Sequence, residues 1–231
     1  ALVPVIEGAG GTMCDWNGEP LHAASSGHVL ALGDPARLED VIEALAGDGI
    51  TISVDTMKPE VMRRAVAAGA AIINDIAALR VPEALEAAAE SGAAVCLMHM
   101  QGEPGTMQAD PRYGDVVAEV HDFLAQRVTA ARAAGIPTER IIVDPGFGFG
   151  WQPPQNLALL RRLEELHDLG RPLLLGTSRQ STLGLVLDRP VDERAWGTAA
   201  TMALAVAARV DIVRVHDVAA MVDVVRMADA I

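Results

Sequence analysis

Thr51-Ile52-Ser53-Val54-Asp55-Thr56 decides the fold, because a short β-branched run ends there in polar residues. The segment Pro59–Ala68 follows almost at once and has Pro59 and Glu60 in its first turn, a pattern that begins helices. Together the two segments predict a buried β-strand and then an α-helix that covers the sheet.

The same β/α unit recurs as far as the end of the chain. Five further strands are predicted at Ala71–Ile73, Ala94–Met98, Ile141–Val143, Pro172–Leu175 and Asp211–Val215. The predicted helices between and after them are Pro82–Glu90, Val116–Ala134, Asn156–Leu169, Glu193–Ala208 and Ala219–Ala230. Left-handed glycines that end helices are predicted at Gly69, Gly92, Gly135 and Gly170.

Six units within residues 50–231 fit the last six units of a TIM-type (β/α)8 barrel. An open doubly wound sheet is disfavoured, because no Gly-x-Gly-x-x-Gly follows an early strand. Residues 1–49 form an atypical segment, in which Leu2–Ile6 and His28–Leu32 could be strands and Pro35–Ala46 a helix. We expect residues 1–231 to form one barrel domain whose first one or two units are atypical or incomplete.

Charge and composition exclude several classes of function. The net charge of −13 argues against a nucleic-acid partner, which would need a basic face. No apolar run reaches the roughly 18 residues that span a bilayer, so no membrane association is expected. The two cysteines, Cys14 and Cys96, form no disulfide framework, and no signal-peptide pattern is visible. We therefore expect a cytoplasmic protein.

Polar residues stand at the carboxyl end of every predicted strand from residue 50 onward. In a barrel these ends converge on one mouth, which is where barrel enzymes carry their active sites. Buried polar groups cost free energy unless they are paired, so such a ring indicates a binding site. Its members are Asp55-Thr56, Asn74-Asp75, His99, Asp144, Ser178-Arg179-Gln180-Ser181 and Arg214 with His216-Asp217.

The residue types at these strand ends suggest two kinds of ligand group. Asp55, Asn74 and Asp144 suit a heterocycle that presents N–H donors and carries developing positive charge, although a metal site is the rival interpretation. Arg214 and His216, two residues apart, share one face and suit a phosphate or diphosphate. A surface ion pair is the commoner explanation of an Arg-x-His pair.

Other candidates have a structural interpretation beside the functional one. The glycine-rich run Asp144–Gly150 with Phe149 could form a substrate wall, and it lacks the ending of a Walker loop. By residue type Met98 is core filler, and His99 could be a hydrogen-bonded core histidine. Asp75 and Asp217 could have no role other than to cap the helix that follows each of them.

Taken together, these motifs resemble the pterin-binding enzyme family, specifically the dihydropteroate synthases. The similarity extends from residue 50 to the end of the chain, in the family's order and spacing. The matching stretches are Ser53–Thr56 with Lys58–Val61, Ile72–Asp75, Leu97–Gly102, Pro104 with Thr106–Gln108, Asp144–Gly150, Ser178–Ser181 and Val213–Val218.

The resemblance implies that p-aminobenzoate displaces diphosphate from 6-hydroxymethyl-7,8-dihydropterin diphosphate, with Mg²⁺ accompanying the diphosphate. Asp55, Asn74 and Asp144 would then hold the pterin, with Met98 packing nearby. The family is commonly dimeric, so a homodimer is expected. The resemblance also implies a sulfonamide target. The remaining implied contacts are Arg214 with the pterin or its diphosphate, His216 with the diphosphate, and Phe149 and Ser181 with the aminobenzoate.

The chain departs from the family pattern at three places. Gln180 replaces a lysine that contacts the pterin and shapes the aminobenzoate site, and Trp151 replaces a second lysine. The family's two N-terminal loops, one of which supplies the Mg²⁺-binding Asn, have no counterpart in residues 1–49, so the Mg²⁺ ligands are unknown. Two alternatives follow: a pterin-binding paralogue without synthase activity, or a pterin-dependent methyltransferase domain, which Arg214 and His216 disfavour.

Overall fold

Six parallel β-strands form one arc in the computed structural model, which describes residues 38–102 and 113–231. β1 to β4 pair in chain order, β5 pairs with β6, and a bridge between Val143 and Leu173 joins the two groups. The strands are β1 (Ser53–Asp55), β2 (Ile72–Asp75), β3 (Ala94–Met98), β4 (Ile141–Asp144), β5 (Leu174–Leu175) and β6 (Ile212–Val213). The strands predicted before residue 38 lie outside the described residues.

The register of the strands places the polar residues of the strand ends in two neighbouring rows. Asp55 pairs with Asn74, whose own partner is Cys96, and Met98 pairs with Asp144 two residues further along β3 and β4. Because side chains alternate along a strand, these residues face the inside of the arc, whereas Ile73 and Val95 face outward into an apolar cluster with the helices. The sheet therefore presents its polar residues on the inner face, at the carboxyl ends.

Eight α-helices lie in the described residues, mostly where the sequence predicts them. Two differ: the segment Asn156–Leu169 is divided into α5 and the 3₁₀ helix Leu163–Leu169, and α6 was not predicted. The helices are α1 (Leu38–Gly47), α2 (Pro59–Ala67), α3 (Ala84–Ser91), α4 (Val116–Ala133), α5 (Pro153–Arg161), α6 (Ser181–Leu187), α7 (Ala195–Ala207) and α8 (Val218–Asp229).

Local sequence explains these boundaries. α5 begins before Asn156 because Pro153 and Pro154 occupy the first helical positions and Gln152 with Gln155 forms a capping box. Glycines with φ between 60° and 113° follow four helices, as predicted for Gly69, Gly92, Gly135 and Gly170. None of the helices in the described ranges is long and apolar enough to cross a membrane.

Candidate functional site

Asp55 and Asn74 form the first pair at the carboxyl edge of the sheet. Asn74 Nδ2 donates a hydrogen bond of 2.9 Å to Asp55 Oδ2, because the two residues are register partners on β1 and β2. This bond directs Asn74 Oδ1 away from Asp55. Among the described residues, that buried oxygen has no hydrogen-bond partner.

Asp144 and Arg214 form the second pair, across the arc from β4 to the residue after β6. Arg214 Nη2 lies 3.2 Å from Asp144 Oδ2, and the backbone N–H of Gly146 donates to Asp144 Oδ1 at 2.8 Å. The guanidinium lies against Gly176, where an added Cβ would be 2.9 Å from Nη2. Asp144 is 1% exposed, and its Oδ2 has no aligned hydrogen-bond donor within the described ranges.

The surroundings of Asp55 and Asp144 disfavour the charged form of both carboxyl groups. Burial raises the pKa of Asp144, and the nearby Arg214 offsets only part of that effect. Burial also raises the pKa of Asp55, which solvent still reaches, against the hydrogen bond from Asn74. Ligand N–H donors or positive charge would therefore stabilise both carboxylates.

Two side-chain contacts, called clasps below, join the loops that follow β5 and β6: Ser178 with His216, and Arg179 with Asp217. Ser178 Oγ lies 2.8 Å from His216 Nδ1 and accepts the backbone N–H of His216 at 3.1 Å. Next to it, Arg179 makes a bidentate pair with Asp217, with Nη2 2.6 Å from Oδ1. Asp217 makes no side-chain cap at the start of α8, so the interpretation of Asp217 as a cap is wrong.

Asp75 does not cap the next helix either, since α3 begins at Ala84 after Glu83, but its role is structural. It is fully buried, and its two carboxyl oxygens accept the backbone N–H groups of Ala77 and Leu79. These bonds order the loop that precedes α3. Asp75 therefore lies outside the candidate site, on the outer face of β2.

The glycine-rich loop after β4 packs on the loop before α6. A Cβ at Gly146 would collide with the His99 carbonyl, and one at Gly148 would collide with the Gln180 carboxamide. Both glycines have positive φ, at 75° and 86°, so the backbone needs glycine there. Phe149 and Gln180 are partly buried, whereas Ser181, the first residue of α6, is exposed.

Asn156 stabilises this arrangement, although no sequence pattern assigns it a role. Its Oδ1 accepts the Gly148 N–H at 2.8 Å, and its Nδ2 donates to Thr182 Oγ1 at 2.9 Å. Asn156 is fully buried, so one amide joins the glycine-rich loop to α6. The sequence shows only a polar residue near the start of an amphipathic helix, and such a residue usually lies on the surface. That pattern does not reveal the buried role of Asn156.

His99 lies in an aromatic cluster beside the mouth. Its ring makes an edge contact with Phe123 at 5.0 Å between centroids and lies 5.9 Å from Trp151. Burial lowers the pKa of His99 to about 4, so the ring is neutral near pH 7. The prediction of a hydrogen-bonded histidine fails at Nδ1, which has no partner in the described part of the chain.

Met98 is fully buried at the end of β3, beside Asp144 in the register. Its side chain is on the inner face of the sheet, in the same row as Asp144. Core packing and contact with a ligand are both compatible with this position. The structure thus brings Asp55, Asn74, Met98, Asp144 and Arg214 together at the carboxyl edge of the arc.

A dedicated metal site is not visible in residues 38–102 and 113–231. No group of three or more His, Cys, Asp or Glu side chains there is placed to hold a metal ion. Arg214 weakens the rival interpretation of Asp55, Asn74 and Asp144 as metal ligands, because its guanidinium already gives Asp144 a cationic partner.

Comparisons with known proteins point to one family. The family described as pterin binding enzyme matches residues 8–216. The dihydropteroate synthase of Escherichia coli K12 is 44% identical over 223 residues, covering 96% of this chain and 79% of that protein. The match begins at residue 8, so the similarity includes most of the segment 1–49 and is longer than the motifs suggested.

Solved structures agree in fold. A dihydropteroate synthase from Stenotrophomonas maltophilia with bound imidazole is 51% identical, with a TM-score of 0.83 over 89% of this chain and 78% of that chain. The Xanthomonas albilineans enzyme in complex with 7,8-dihydropteroate is 46% identical, with a TM-score of 0.79 over 86% and 73%. The predicted TIM-type (β/α)8 fold class is therefore confirmed.

Proposed function

Since this chain belongs to the pterin-binding enzyme family, we propose that it is a dihydropteroate synthase. It condenses 6-hydroxymethyl-7,8-dihydropterin diphosphate with p-aminobenzoate, which gives 7,8-dihydropteroate and diphosphate. The C–O bond to the diphosphate breaks, a C–N bond forms between the pterin methylene carbon and the aminobenzoate nitrogen, and the amine loses one proton.

The observation that best supports this function is the set of buried acceptors at the mouth that can take further hydrogen bonds. Asn74 Oδ1 has no hydrogen-bond partner in the described residues, Asp144 Oδ2 has the ion pair with Arg214 but no aligned donor there, and the Asp55 carboxylate lies beside Asn74. The edge of a reduced pterin carries several N–H donors. Such an edge would satisfy these oxygens, whereas a ligand with only acceptor groups would leave them unpaired.

Charge placement supports a role for the same residues in the reaction. Positive charge develops on the pterin as the diphosphate leaves, and the Asp55 and Asp144 carboxylates would stabilise it. Arg214 would bound the ring or the diphosphate, and His216 would contact the diphosphate. The ion pair between Arg214 and Asp144 keeps the guanidinium at the mouth before any ligand arrives.

The aminobenzoate would bind on the side of the glycine-rich loop. Phe149 would supply an apolar wall, and Gln180 with Ser181 would supply polar contacts. Gln180 lies against Gly148, and Asn156 joins that loop to α6, so these groups are held together before the second substrate binds. Sulfonamides would compete for the same position.

Mg²⁺ belongs to this proposal as a companion of the diphosphate. The described residues offer no cage for the ion, and Mg²⁺ commonly binds through substrate phosphates and waters with few protein ligands. No step above depends on it. The buried free thiol of Cys96 suits a reducing compartment, and we propose the cytoplasm.

Calorimetry with the pterin diphosphate tests the assignment of the pterin residues. The wild type should bind it, and Asp144→Ala should abolish binding because the ring loses its charge partner. Glu164→Ala, on the exposed side of the 3₁₀ helix after α5, serves as the control and should bind normally. Unchanged affinity in Asp144→Ala would show that the pterin lies elsewhere.

A further inference from the structure

The hydroxyl of Ser178 contacts both the ring and the backbone of His216. It lies 2.8 Å from His216 Nδ1 and accepts the His216 backbone N–H at 3.1 Å. Ser178 is only 5% exposed, so water offers little alternative. Within residues 38–102 and 113–231, Nδ1 is the acceptor available to the hydroxyl proton.

A hydroxyl carries one proton and two lone pairs. The backbone N–H of His216 uses one lone pair of Ser178 Oγ. If Nδ1 donated to the second lone pair, the buried hydroxyl proton would have no acceptor in the described residues, whereas donation from the hydroxyl to Nδ1 leaves it paired. A neutral ring that accepts at Nδ1 must carry its own proton on Nε2. The hydrogen bond therefore selects the Nε2–H tautomer and also fixes the plane of the ring.

From this geometry we infer that Ser178 is a positioning residue, which holds His216 as an Nε2–H donor for the leaving diphosphate. The inference rests on the proposed function, since it assigns a donor to the diphosphate contact of His216. Donation from Nε2–H stabilises the charge that grows on the leaving oxygens, and the His216 ring keeps its proton throughout the displacement.

The neighbouring clasp supports this role. Arg179 adopts a left-handed backbone, with φ of 57°, and pairs with Asp217 through two nitrogens. Its backbone N–H donates to Thr198 Oγ1 at 3.2 Å, and its carbonyl accepts from Arg194 Nη1 at 3.0 Å. The loop that carries Ser178 is thus fixed from α7, which makes a stable support for the His216 ring.

Nitrogen NMR of the histidine-labelled protein tests the tautomer directly. The chain has six histidines, so a His216→Asn variant identifies the His216 signals. We expect a proton on Nε2 and a hydrogen-bonded, unprotonated Nδ1, whose resonance shifts in Ser178→Ala. A neutral ring with its proton on Nδ1 would overturn the inference, and the wild-type spectrum decides this even where a variant fails to fold.

Binding measurements test the consequence for the diphosphate. In calorimetry with inorganic diphosphate and Mg²⁺, Ser178→Ala should weaken affinity about tenfold, the effect of one lost hydrogen bond, and Ser178→Thr should recover most of it. Affinity for the hydroxymethyl-dihydropterin without its diphosphate should stay unchanged. Equal diphosphate affinity in wild type and Ser178→Ala would contradict the role of Ser178.

Ser91→Ala is the matched control, because it removes the hydroxyl of the last residue of α3, just before the amino end of β3. This variant should bind both inorganic diphosphate and the hydroxymethyl-dihydropterin with the affinity of the wild type. A wild type that shows the expected tautomer but releases no diphosphate would contradict the proposed function. A wild type that turns over with its proton on Nδ1 would contradict the role of Ser178 alone.

Discussion

At the scale of single residues, side chains that share a strand end have very different environments. Asn74 and Asp144 each leave a buried oxygen without a described hydrogen bond, whereas Asp75 uses both of its oxygens on the backbone. Sequence position predicted all three as candidates. Only the register and the local hydrogen bonds separate residues that could serve a ligand from one that orders a loop.

Gln180 provides a prediction at this scale. The family has lysine here, and a lysine would make charge-assisted contacts that are stronger than those of an amide. Gln180→Lys should raise kcat/KM about tenfold, as expected for one stronger hydrogen bond. Steady-state kinetics with both substrates measures the change.

Gln180→Met is the control for side-chain size, because it has neither a charge nor an amide. Its kcat/KM should not exceed that of the wild type. If Gln180→Lys also shows no gain, the absent charge is not what limits turnover, and the segment 1–49 becomes the more important departure from the family.

His99 predicts a pH dependence of folding. Burial lowers the pKa of its ring from 6.5 to about 4. The unfolded chain therefore binds this proton first as the pH falls, and the stability that the neutral ring contributes is lost between pH 6.5 and about 4. The loss amounts to at most about 3 kcal/mol.

Urea unfolding of His99→Phe across that range should show a weaker loss of stability toward low pH than the wild type. His121→Gln, in the partly exposed part of α4, should follow the wild type. Parallel curves for His99→Phe and the wild type would contradict a neutral buried His99.

At the scale of elements, α5 positions the glycine-rich loop through Asn156. Asn156→Ala would leave the Gly148 N–H without its acceptor and Thr182 without its donor, at a cost of about 1–3 kcal/mol. The KM for aminobenzoate should rise more than that for the pterin diphosphate. Denaturant unfolding and initial-rate kinetics measure the two effects.

Gln155→Ala provides the comparison, since the side chain of this neighbouring residue accepts the Gln152 N–H at the start of its own helix. Its KM values should match those of the wild type. An aminobenzoate KM that stays unchanged in Asn156→Ala would show that the loop holds its position without this amide.

The elements also show how far the sequence can be interpreted. β3 was predicted with its observed bounds, because its apolar run ends at a polar residue on one side and follows a glycine turn on the other. α6 was missed, since seven residues with Gly184 among them give little helical signal. Its position depends on contacts with Asn156 and α7, which no local pattern encodes.

At the scale of the whole molecule, an apolar surface lies on α6 and α7. Trp196 is 86% exposed and Leu185 is 69% exposed, and Leu187 packs against Gly197, which follows Trp196. Exposed apolar groups of this size often mark an interface. The predicted homodimer would therefore bury this surface.

Sedimentation of the wild type should give a dimer, and Trp196→Ser should shift it toward monomer while pterin binding is retained. Arg63→Ser, on α2, should leave the mass unchanged. A wild type that is monomeric at all concentrations, or a dimer unaffected by Trp196→Ser, would contradict this interface.

The fold class and the polar ring followed from the sequence because repeated β/α units and polar strand ends are local patterns. Whether residues 1–231 form one domain stays a prediction, and the strands expected before residue 38 lie outside the described residues. The clasps between Ser178 and His216 and between Arg179 and Asp217 join residues 38 positions apart, so only the folded chain shows them.

Formation of dihydropteroate by the purified chain tests the central claim most directly. The wild type receives the pterin diphosphate, p-aminobenzoate and Mg²⁺, and chromatography follows the product while diphosphate release is measured in parallel. We predict equal amounts of dihydropteroate and diphosphate. Binding of the pterin diphosphate without either product would contradict the synthase function and would identify a pterin-binding relative instead.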